Sequence, residues 1–354
     1  MVTMSHKCLD FVTWKALVFA SLWVTSMMSF CAQVNAVERT GIYSIYDQAA
    51  LQLLDISQNY AVVADGFEWA EGPLWFADEE FLLFSDIPAN KIYRYDEKRG
   101  LTEFLTDSGF SNGLCRNGKG QLLMMQSRTR QVALLNQSPQ AHSIDTKPDL
   151  NVLMRDYQGK RLNSPNDCAV HANGTLFFTD PPYGLAGQLN DPLKELSFQG
   201  IFRVTDNVTG DQNEITLVDD SLTFPNGIAL SPDHKWLYVA VSDQHQPAWY
   251  RYRLSEQGDI LAKELFYTPE QSTNEVGAPD GLKVHSNGWV FATGPGGIWI
   301  FNQNQQLLAR IHLPGFTANL AFADNETLLY LTSDNELRKL RLQTNTTQSL
   351  IFSP

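Results

Sequence analysis

One sequence pattern recurs six times along this chain of 354 residues and constrains its fold more than any other feature. Each repeat opens with a polar residue in a turn, continues with a short apolar run and a polar turn, and ends in runs rich in aromatic and β-branched residues. The repeats start 39 to 60 residues apart. Blocks of this length with about four short strands are typical of propeller blades. The first residues of the six repeats are Glu71, Asn112, Asn166, Asn226, Asp280 and Asn319.

We therefore predict an all-β fold, a six-bladed β-propeller with four-stranded blades. A β-sandwich also uses short strands, but it does not explain one pattern repeated six times in the same phase. The apolar segment from Tyr60 to Ala64 precedes the first repeat, and we expect it to complete the last blade. Residues 43–55 are expected to form a short amphipathic helix, a helical lead packed outside the propeller.

The first 36 residues differ in composition from the rest of the chain. Lysines precede an uncharged, mostly apolar run from Ala16 to Phe30, and Val34 and Ala36 supply the small residues of a cleavage site. This pattern predicts a secretory signal peptide, and hence export to the periplasm or out of the cell. A membrane anchor is the alternative, but the apolar run is shorter than the roughly 20 residues of a spanning helix, which favours a cleaved signal peptide. A lipid anchor at Cys31 is a weaker alternative.

The predicted organisation is a signal peptide at 1–36, a lead segment at 37–58 and the propeller at 59–354. Removal of the leader leaves two cysteines, Cys115 and Cys168. An oxidising compartment permits a disulfide between them. The Cα atoms of a disulfide lie within about 7 Å, however, and we expect the inner strands of neighbouring blades to diverge. We therefore favour two buried thiols.

The charge of the chain bears on its partners. It carries 26 Lys and Arg against 39 Asp and Glu, a formal net charge of −13, and no block of basic residues. Binding to nucleic acid requires clustered positive charge, so the composition argues against a nucleic-acid partner. No second apolar stretch of spanning length follows the leader, so no membrane span is expected in the mature chain. The sequence indicates no oligomeric state.

Polar residues at equivalent phase suggest a metal site. The inner strands of a propeller line its axis, so the residues that begin them meet at one mouth of the tunnel. They include the carboxylates of Glu71 and Asp280 and the amides of Asn166 and Asn226, with Asn112 in the same phase. Two neighbouring carboxylates repel each other unless a counter-charge is present. Each of these sequences is also a common turn, but their shared phase favours a divalent cation.

The expected ion is Ca²⁺, which takes about 6–8 oxygen ligands, among them carboxylates and amide carbonyls. Four protein ligands would leave positions for water or substrate, as a catalytic metal requires. His and Cys are absent from this phase, which argues against a dedicated zinc site. Mg²⁺, Mn²⁺ and Zn²⁺ remain alternatives, because oxygen-ligand sites also accept these ions.

The chain resembles the SMP-30/gluconolactonase family of six-bladed propellers, and the resemblance extends from about Tyr60 to Leu342. Its most specific stretches are GKRLNSPND, from Gly159 to Asp167, and FTDPPYGL, from Phe178 to Leu185. The family often has an acidic residue followed by His-Gly in the second strand after Asn112. Here the corresponding stretch is Gln-Ser-Arg, at residues 126–128. A carboxylate that could contact a sugar hydroxyl is thus an amide, which leaves the substrate open.

The resemblance implies a divalent metal, usually calcium, held by Glu71, Asn166, Asn226 and Asp280. It also implies hydrolysis of a sugar lactone, with Asn112 contacting the substrate, and we expect Asn166 to contact the substrate as well. We expect the metal to polarise the lactone carbonyl while Asp280 acts as the catalytic base that activates water. Glu71 is assigned to holding the ion.

Two other classes of function compete with a lactonase. The same metal site would serve a phosphotriesterase or another esterase, since it polarises P=O as readily as C=O. A non-catalytic propeller that binds a ligand or protein would use calcium only for stability. The complete set of axial oxygen ligands favours an enzyme, because a binding propeller has no need of it.

Overall fold

The computed structural model describes residues 38–140, 142, 144, 148–205, 214–270 and 274–343. The expected signal peptide at 1–36 and the end of the chain after residue 343 lie outside the described residues. Among the described residues, no helix has the length and apolar character needed to cross a bilayer.

The first half of the propeller follows a short lead. The lead contains β1 (Glu38–Thr40), β2 (Tyr43–Ile45), a 3₁₀ helix (Gln48–Gln52) and β3 (Ala61–Asp65). Blade one contains β4 (Ala70–Phe76), β5 (Phe81–Asp86), β6 (Lys91–Asp96) and β7 (Gly100–Thr106). Blade two contains β8 (Ser111–Arg116), β9 (Leu122–Gln126), β10 (Gln131–Leu135) and β11 (Leu150–Met154). A hairpin follows, made of β12 (Asp156–Tyr157) and β13 (Lys160–Arg161).

The remaining blades have the same plan. Blade three contains β14 (Cys168–Val170), β15 (Leu176–Asp180), a 3₁₀ helix (Gln188–Asn190), β16 (Gly200–Thr205) and β17 (Glu214–Asp219). Blade four contains β18 (Pro225–Leu230), β19 (Trp236–Val241), β20 (Ala248–Leu254) and β21 (Ile260–Tyr267). Blade five contains β22 (Leu282–Val284), β23 (Val290–Gly294), β24 (Gly297–Phe301) and β25 (Leu307–His312). Blade six contains β26 (Thr317–Ala323), β27 (Leu328–Ser333) and β28 (Glu336–Arg341).

The described strands confirm the six-bladed propeller. Each blade is an antiparallel sheet whose first strand is innermost, and the inner strands contact their neighbours around a closed ring from β4 to β26 and back to β4. The strand β3 pairs with β28 in blade six, with Ala64 opposite Leu337. The segment expected to close the ring therefore does so, because it gives the last blade its fourth strand.

The lead differs from the helix expected over residues 43–55. Tyr43–Ile45 is the strand β2, which pairs with β25 and, together with β1, extends blade five to six strands. Only Gln48–Gln52 is helical, as a 3₁₀ turn whose N-cap is Asp47. The aromatic and β-branched residues of the lead find unpaired backbone groups at the edge of β25, and strand pairing satisfies those groups where a separate helix would not.

The glycines that follow the axial residues are required by backbone contact between blades. A Cβ atom on Gly227 would lie 2.1 Å from the carbonyl oxygen of Asp280, and one on Gly72 would lie 2.2 Å from the carbonyl oxygen of Asn112. The recurring glycine is therefore more than a turn residue, because it lets one inner strand pass directly against the next.

We expect Gly227→Ala to destabilise the propeller by about 2 kcal/mol or more, because the carbonyl of Asp280 belongs to the backbone and cannot move aside. The measurement is urea unfolding followed by tryptophan fluorescence. Gly118→Ala is the matched control, since a Cβ atom at Gly118 meets nothing within 4 Å. Equal stability of the two variants would contradict the role of close approach.

The expectation of two free thiols is wrong. Cys115 in β8 and Cys168 in β14 form a disulfide, and their Cα atoms are 6.2 Å apart. The inner strands of blades two and three come together near the axis instead of diverging, and this brings the two cysteines within bonding distance.

Reduction of this disulfide should lower the free energy of unfolding by about 2–5 kcal/mol, because the bond closes a long loop in the unfolded chain. Its cysteines are 53 residues apart. Urea unfolding with and without a reductant measures the effect. The double variant Cys115→Ser/Cys168→Ser should start at the lower stability and show no response to the reductant; a response of the same size in that variant would refute the assignment.

Candidate functional site

The predicted site residues come together at one mouth of the propeller. Glu71 lies in β4, Asn112 in β8 and Asn226 in β18, while Asn166 and Asp280 lie just before β14 and β22. All five are buried and line one cavity of about 360 Å³. The repeat phase therefore predicts their convergence correctly.

Hydroxyl groups of neighbouring blades hold the axial backbone in place. Ser85 in blade one donates its Oγ–H to the carbonyl of Asn112 in blade two, at 2.8 Å. Thr179 in blade three donates to the carbonyl of Asn226 in blade four, at 2.6 Å. The amide of Asn226 donates in turn from Nδ2 to Ser242 Oγ, at 2.9 Å.

The two predicted carboxylates lack sufficient compensation within the protein. Glu71 accepts hydrogen bonds at Oε2 from the backbone N–H of Gly72, at 2.6 Å, and from the side-chain amide of Asn319. The Oδ1 atom of Asp280 is buried and has no hydrogen-bond partner among the described residues. Burial raises the pKa of both carboxyl groups, and the charge of Asp167 raises them further. A cation at this position would reverse the effect, because it favours the ionised forms.

A third carboxylate and a lysine lie beside this pair, and the sequence did not assign them to the site. Asp167 accepts from the backbone N–H of Cys168 at 2.8 Å, and its Oδ2 lies 3.9 Å from Lys283 Nζ. Asn319 donates from Nδ2 to Glu71 Oε2 at 3.2 Å and to Asp167 Oδ2 at 3.4 Å. The position of Asn319 at the start of the sixth repeat indicates that it lies near the axis. No feature of the sequence indicates that Lys283 lies there.

Lys283, the partner of Asp167, lines a second cavity. It lines a space of about 520 Å³ at the inner-strand ends away from the axial asparagines, together with Cys115 and Cys168 of the disulfide. Its positive charge lowers the pKa of Glu71, but this is the smallest of the influences on that group. One ammonium group therefore compensates only part of the charge of three buried carboxylates.

The donor set fits a hard divalent cation. Within the described residues, no group of three or more His, Cys, Asp and Glu side chains is arranged to hold a metal, so a cation here depends on the asparagine oxygens. Neither His nor Cys is among the described residues that line the cavity. Carboxylate and amide oxygens with the unpartnered Oδ1 of Asp280 are the ligands that Ca²⁺ prefers.

Tyr183 lies at the rim with its hydroxyl group in the site. The residue is 38% exposed, yet its hydroxyl group interacts with Ser242, Asn226 and Asp280. Burial of that group and the nearby charge of Asp280 raise the pKa of Tyr183. The phenol therefore stays protonated and keeps a hydrogen to donate.

Ser111 is the central residue of Gly-Phe-Ser-Asn-Gly at residues 109–113, which has the Gly-x-Ser-x-Gly spacing of a serine-hydrolase motif. In such enzymes the serine stands on a strand-to-helix turn and is exposed. Here Ser111 begins β8 and is fully buried, and its hydroxyl group has no hydrogen-bond partner among the described residues. The motif therefore does not form a nucleophile in this fold.

The closed ring of blades and the axial oxygen cluster define a six-bladed propeller with a site at one mouth. The family model for the SMP-30/gluconolactonase/LRE-like region matches residues 69–335. The chain belongs to this family, as the sequence predicts.

The proteins that this chain is similar to include gluconolactonases. A gluconolactonase of Zymomonas mobilis subsp. mobilis is 32% identical over 310 residues, covering 82% of this chain and 83% of that protein. A gluconolactonase of Xanthomonas campestris has a solved structure with a TM-score of 0.72 and 26% identity, covering 86% of this chain and 95% of that one.

A more distant likeness concerns the fold alone. A calcium-binding protein of Agrobacterium tumefaciens, regucalcin, has a TM-score of 0.61 at 16% identity. It covers 80% of this chain and 93% of its own. It has the same propeller architecture.

The carboxylate cluster makes a prediction about stability. We expect Ca²⁺ at a hundredfold excess over its dissociation constant to stabilise the metal-free protein by about 2–3 kcal/mol. Glu71→Gln should reduce this response, since the amide keeps one oxygen donor but loses the charge. It should itself stabilise the metal-free protein, because it removes one uncompensated buried charge. Thermal unfolding after EDTA treatment, with and without added Ca²⁺, measures both effects.

Asp86→Asn is the matched control for that experiment. Asp86 is buried, but it accepts from the backbone N–H groups of Glu68 and Trp69, both at 3.1 Å, and does not line the cavity. This variant should be less stable than the wild type and should still respond to Ca²⁺. A wild-type protein that neither binds Ca²⁺ nor is stabilised by it would refute the axial site.

Proposed function

We propose that this protein is a metal-dependent lactonase that hydrolyses a sugar lactone, with Ca²⁺ as its ion. The observation that carries the proposal is the buried Asp280 carboxylate. Its Oδ1 has no partner among the described residues, and the residue lines a cavity together with Glu71 and three asparagines. Such a group is costly to bury unless it holds a cation or takes up a proton during the reaction.

The chain is a hydrolase of cyclic esters by class. This follows from its family and from relatives named gluconolactonase that match most of its length. The identities of the ion, the catalytic base and the substrate are inferred from the chemistry of the cavity.

The residues that would hold the ion are Glu71, Asn166, Asn226 and Asp280. When bound, a divalent cation supplies positive charge that polarises the carbonyl group of the lactone. The two carboxylates of this set balance the charge of such an ion, and the two asparagines add neutral oxygen donors.

Asp280 is the general base in this proposal. Asp280 lines the cavity, and its carboxylate has an oxygen that accepts no hydrogen bond within the described residues, so the group can serve as the acceptor of a proton from water. The water oxygen forms a bond to the carbonyl carbon of the lactone as the proton moves to Asp280. The bond between that carbon and the ring oxygen then breaks, and the ring oxygen takes up a proton to give the free hydroxy acid.

Neutral side chains position the sugar. The amide of Asn112 lines the cavity and forms no hydrogen bond within the described residues, so its oxygen and nitrogen are available to sugar hydroxyls. Asn166 lines the same cavity and can contact the substrate as well as the ion. The hydroxyl group of Tyr183 stays protonated and adds a donor beside Asp280.

Export to the periplasm or out of the cell is part of the proposal. Its support is the composition of residues 1–36 and the disulfide between Cys115 and Cys168, since disulfides persist in oxidising compartments.

The test of the activity is hydrolysis of D-glucono-δ-lactone by the protein from Val37 onward, followed by proton release. The assay is run after EDTA treatment and again with Ca²⁺, Mg²⁺, Mn²⁺ or Zn²⁺ restored. We expect turnover well above the spontaneous rate, with Ca²⁺ effective. A folded protein that binds Ca²⁺ but opens no lactone would refute the lactonase proposal and favour another ester or a phosphotriester.

Asp280→Asn should lower kcat by about a hundredfold or more, because an amide cannot accept the proton of water. Binding of Ca²⁺, measured by calorimetry, should weaken but persist, since the amide keeps one oxygen donor. Asp220→Asn removes the same charge from the exposed surface and should leave turnover unchanged. Near-normal turnover by the Asp280 variant would refute its assignment as the base.

A further inference from the structure

Arg128 is the sole positively charged side chain among the described residues that line the candidate cavity. We propose that Arg128 selects lactones that carry a second, anionic group away from the reacting carbonyl, such as a carboxylate or a phosphate ester. This inference rests on the proposed lactonase function and names the class of lactone that the site takes.

The backbone of Arg128 is fixed at the rim. It lies in the turn between β9 and β10, directly after Ser127, which donates from both its backbone N–H and its Oγ–H to the carbonyl of Phe110, each at 3.1 Å. Thr129, on the other side, donates to the carbonyl of Gly109 at 3.2 Å. The turn is therefore anchored on both sides of Arg128 to the segment that leads into β8.

The guanidinium group is held on one face and free at its edge. Its central carbon lies 4.4 Å from the centroid of the Phe110 ring, a cation–π contact that limits its orientations. Arg128 is exposed and forms no ion pair or hydrogen bond within the described part of the chain. Its N–H groups, which lie in the plane of the guanidinium, are available for a bidentate contact with an anion.

Two other arginines that stack on an aromatic ring also form an ion pair with a carboxylate, whereas Arg128 forms none among the described residues. Arg251 lies over the ring of Trp236 and also pairs with Glu264, at 2.8 Å. Arg310 lies over a tryptophan ring and pairs with a glutamate at 2.8 Å. Within the described residues, Arg128 has the aromatic support but lacks the acidic partner, although the chain has an excess of 13 negative charges.

The neighbouring glutamine strengthens the argument. Gln126 is buried, and its Nε2 donates to the carbonyl of Ser108 at 2.8 Å, while its Oε1 accepts from the side chains of Gln131 and Thr129. It does not line the cavity, so it holds the turn and leaves the sugar hydroxyls to other groups. At the rim, the site thus has one cation, Arg128, beside an internally bonded amide, Gln126.

The experiment compares neutral and anionic lactones. Wild type, Arg128→Gly, Arg128→Lys and Arg253→Gly are assayed with D-glucono-δ-lactone, 6-phospho-D-glucono-δ-lactone and a D-glucarolactone, with Ca²⁺ present. Arg253 is exposed and lines a different cavity, so its variant removes the same charge elsewhere. The phosphate and carboxylate substrates distinguish which anion the site prefers.

We expect the wild type to favour at least one anionic lactone over the neutral one by about tenfold or more in kcat/KM, the size expected of one charge-assisted contact. Arg128→Gly should lose this preference with little change toward the neutral lactone, and Arg128→Lys should keep part of it. Arg253→Gly should behave as the wild type. A wild type that prefers the neutral lactone, or a preference that survives in Arg128→Gly, would overturn the inference while leaving the lactonase intact.

A binding measurement keeps the two proposals separate. Calorimetric titration with 6-phospho-D-gluconate and with D-gluconate compares ligands that differ only in the phosphate. The wild type should bind the phosphorylated acid about tenfold more tightly than it binds gluconate. Arg128→Gly should bind the two acids equally. If no lactone is turned over, the proposed function fails, and this titration still supports or overturns the role of Arg128.

Discussion

Close contact between the backbones of neighbouring inner strands is the constraint on which the rest of this structure depends. At Gly227 and Gly72 the next blade comes so near that even a methyl group has no room. This proximity allows hydroxyl groups of one blade to reach the axial carbonyls of the next, and it brings Cys115 within bonding distance of Cys168. The same convergence places the axial side chains around a single cavity.

The cost of that convergence is electrostatic. Glu71, Asp167 and Asp280 are buried together, and among their described contacts Lys283 provides the one positive charge, with Asn319 and two backbone N–H groups as hydrogen-bond donors. In a stability-optimised core such a cluster would be replaced by apolar residues, since buried charges rarely repay their desolvation. Its presence therefore indicates a function, and a cation bound by oxygen ligands is the partner that we propose for it.

The repeat phase carried most of what the sequence predicted. It indicated the six blades, the closing strand β3 and the convergence of Glu71, Asn112, Asn166, Asn226 and Asp280, because residues at one phase of a propeller share one height along the axis. It did not indicate the distances between blades, so the disulfide was expected to be absent. Long-range proximity of this kind depends on how the whole ring packs, which no local pattern encodes.

The sequence pattern did not predict two other features, the position of Lys283 and the strand in the lead. Lys283 enters the cluster from an inner strand, where a lysine would otherwise be taken for a surface residue. The lead was expected to be a helix, but Tyr43–Ile45 pairs with an open strand edge in blade five. In both cases the deciding partner is distant in the sequence, so the outcome is set by tertiary contact and not by propensity.

The position of β3 in the last blade has a consequence for the order of assembly. The propeller cannot close until β28 is available to pair with β3, and these strands stand at opposite ends of the described chain. The hydrogen bond between Asn319 and Glu71 spans 248 residues, so it too forms only at that stage. Contacts so far apart in sequence make for slow folding. A chain whose ring has not closed therefore lacks the assembled axial cavity, and the cation that we propose would bind only after the last blade is complete.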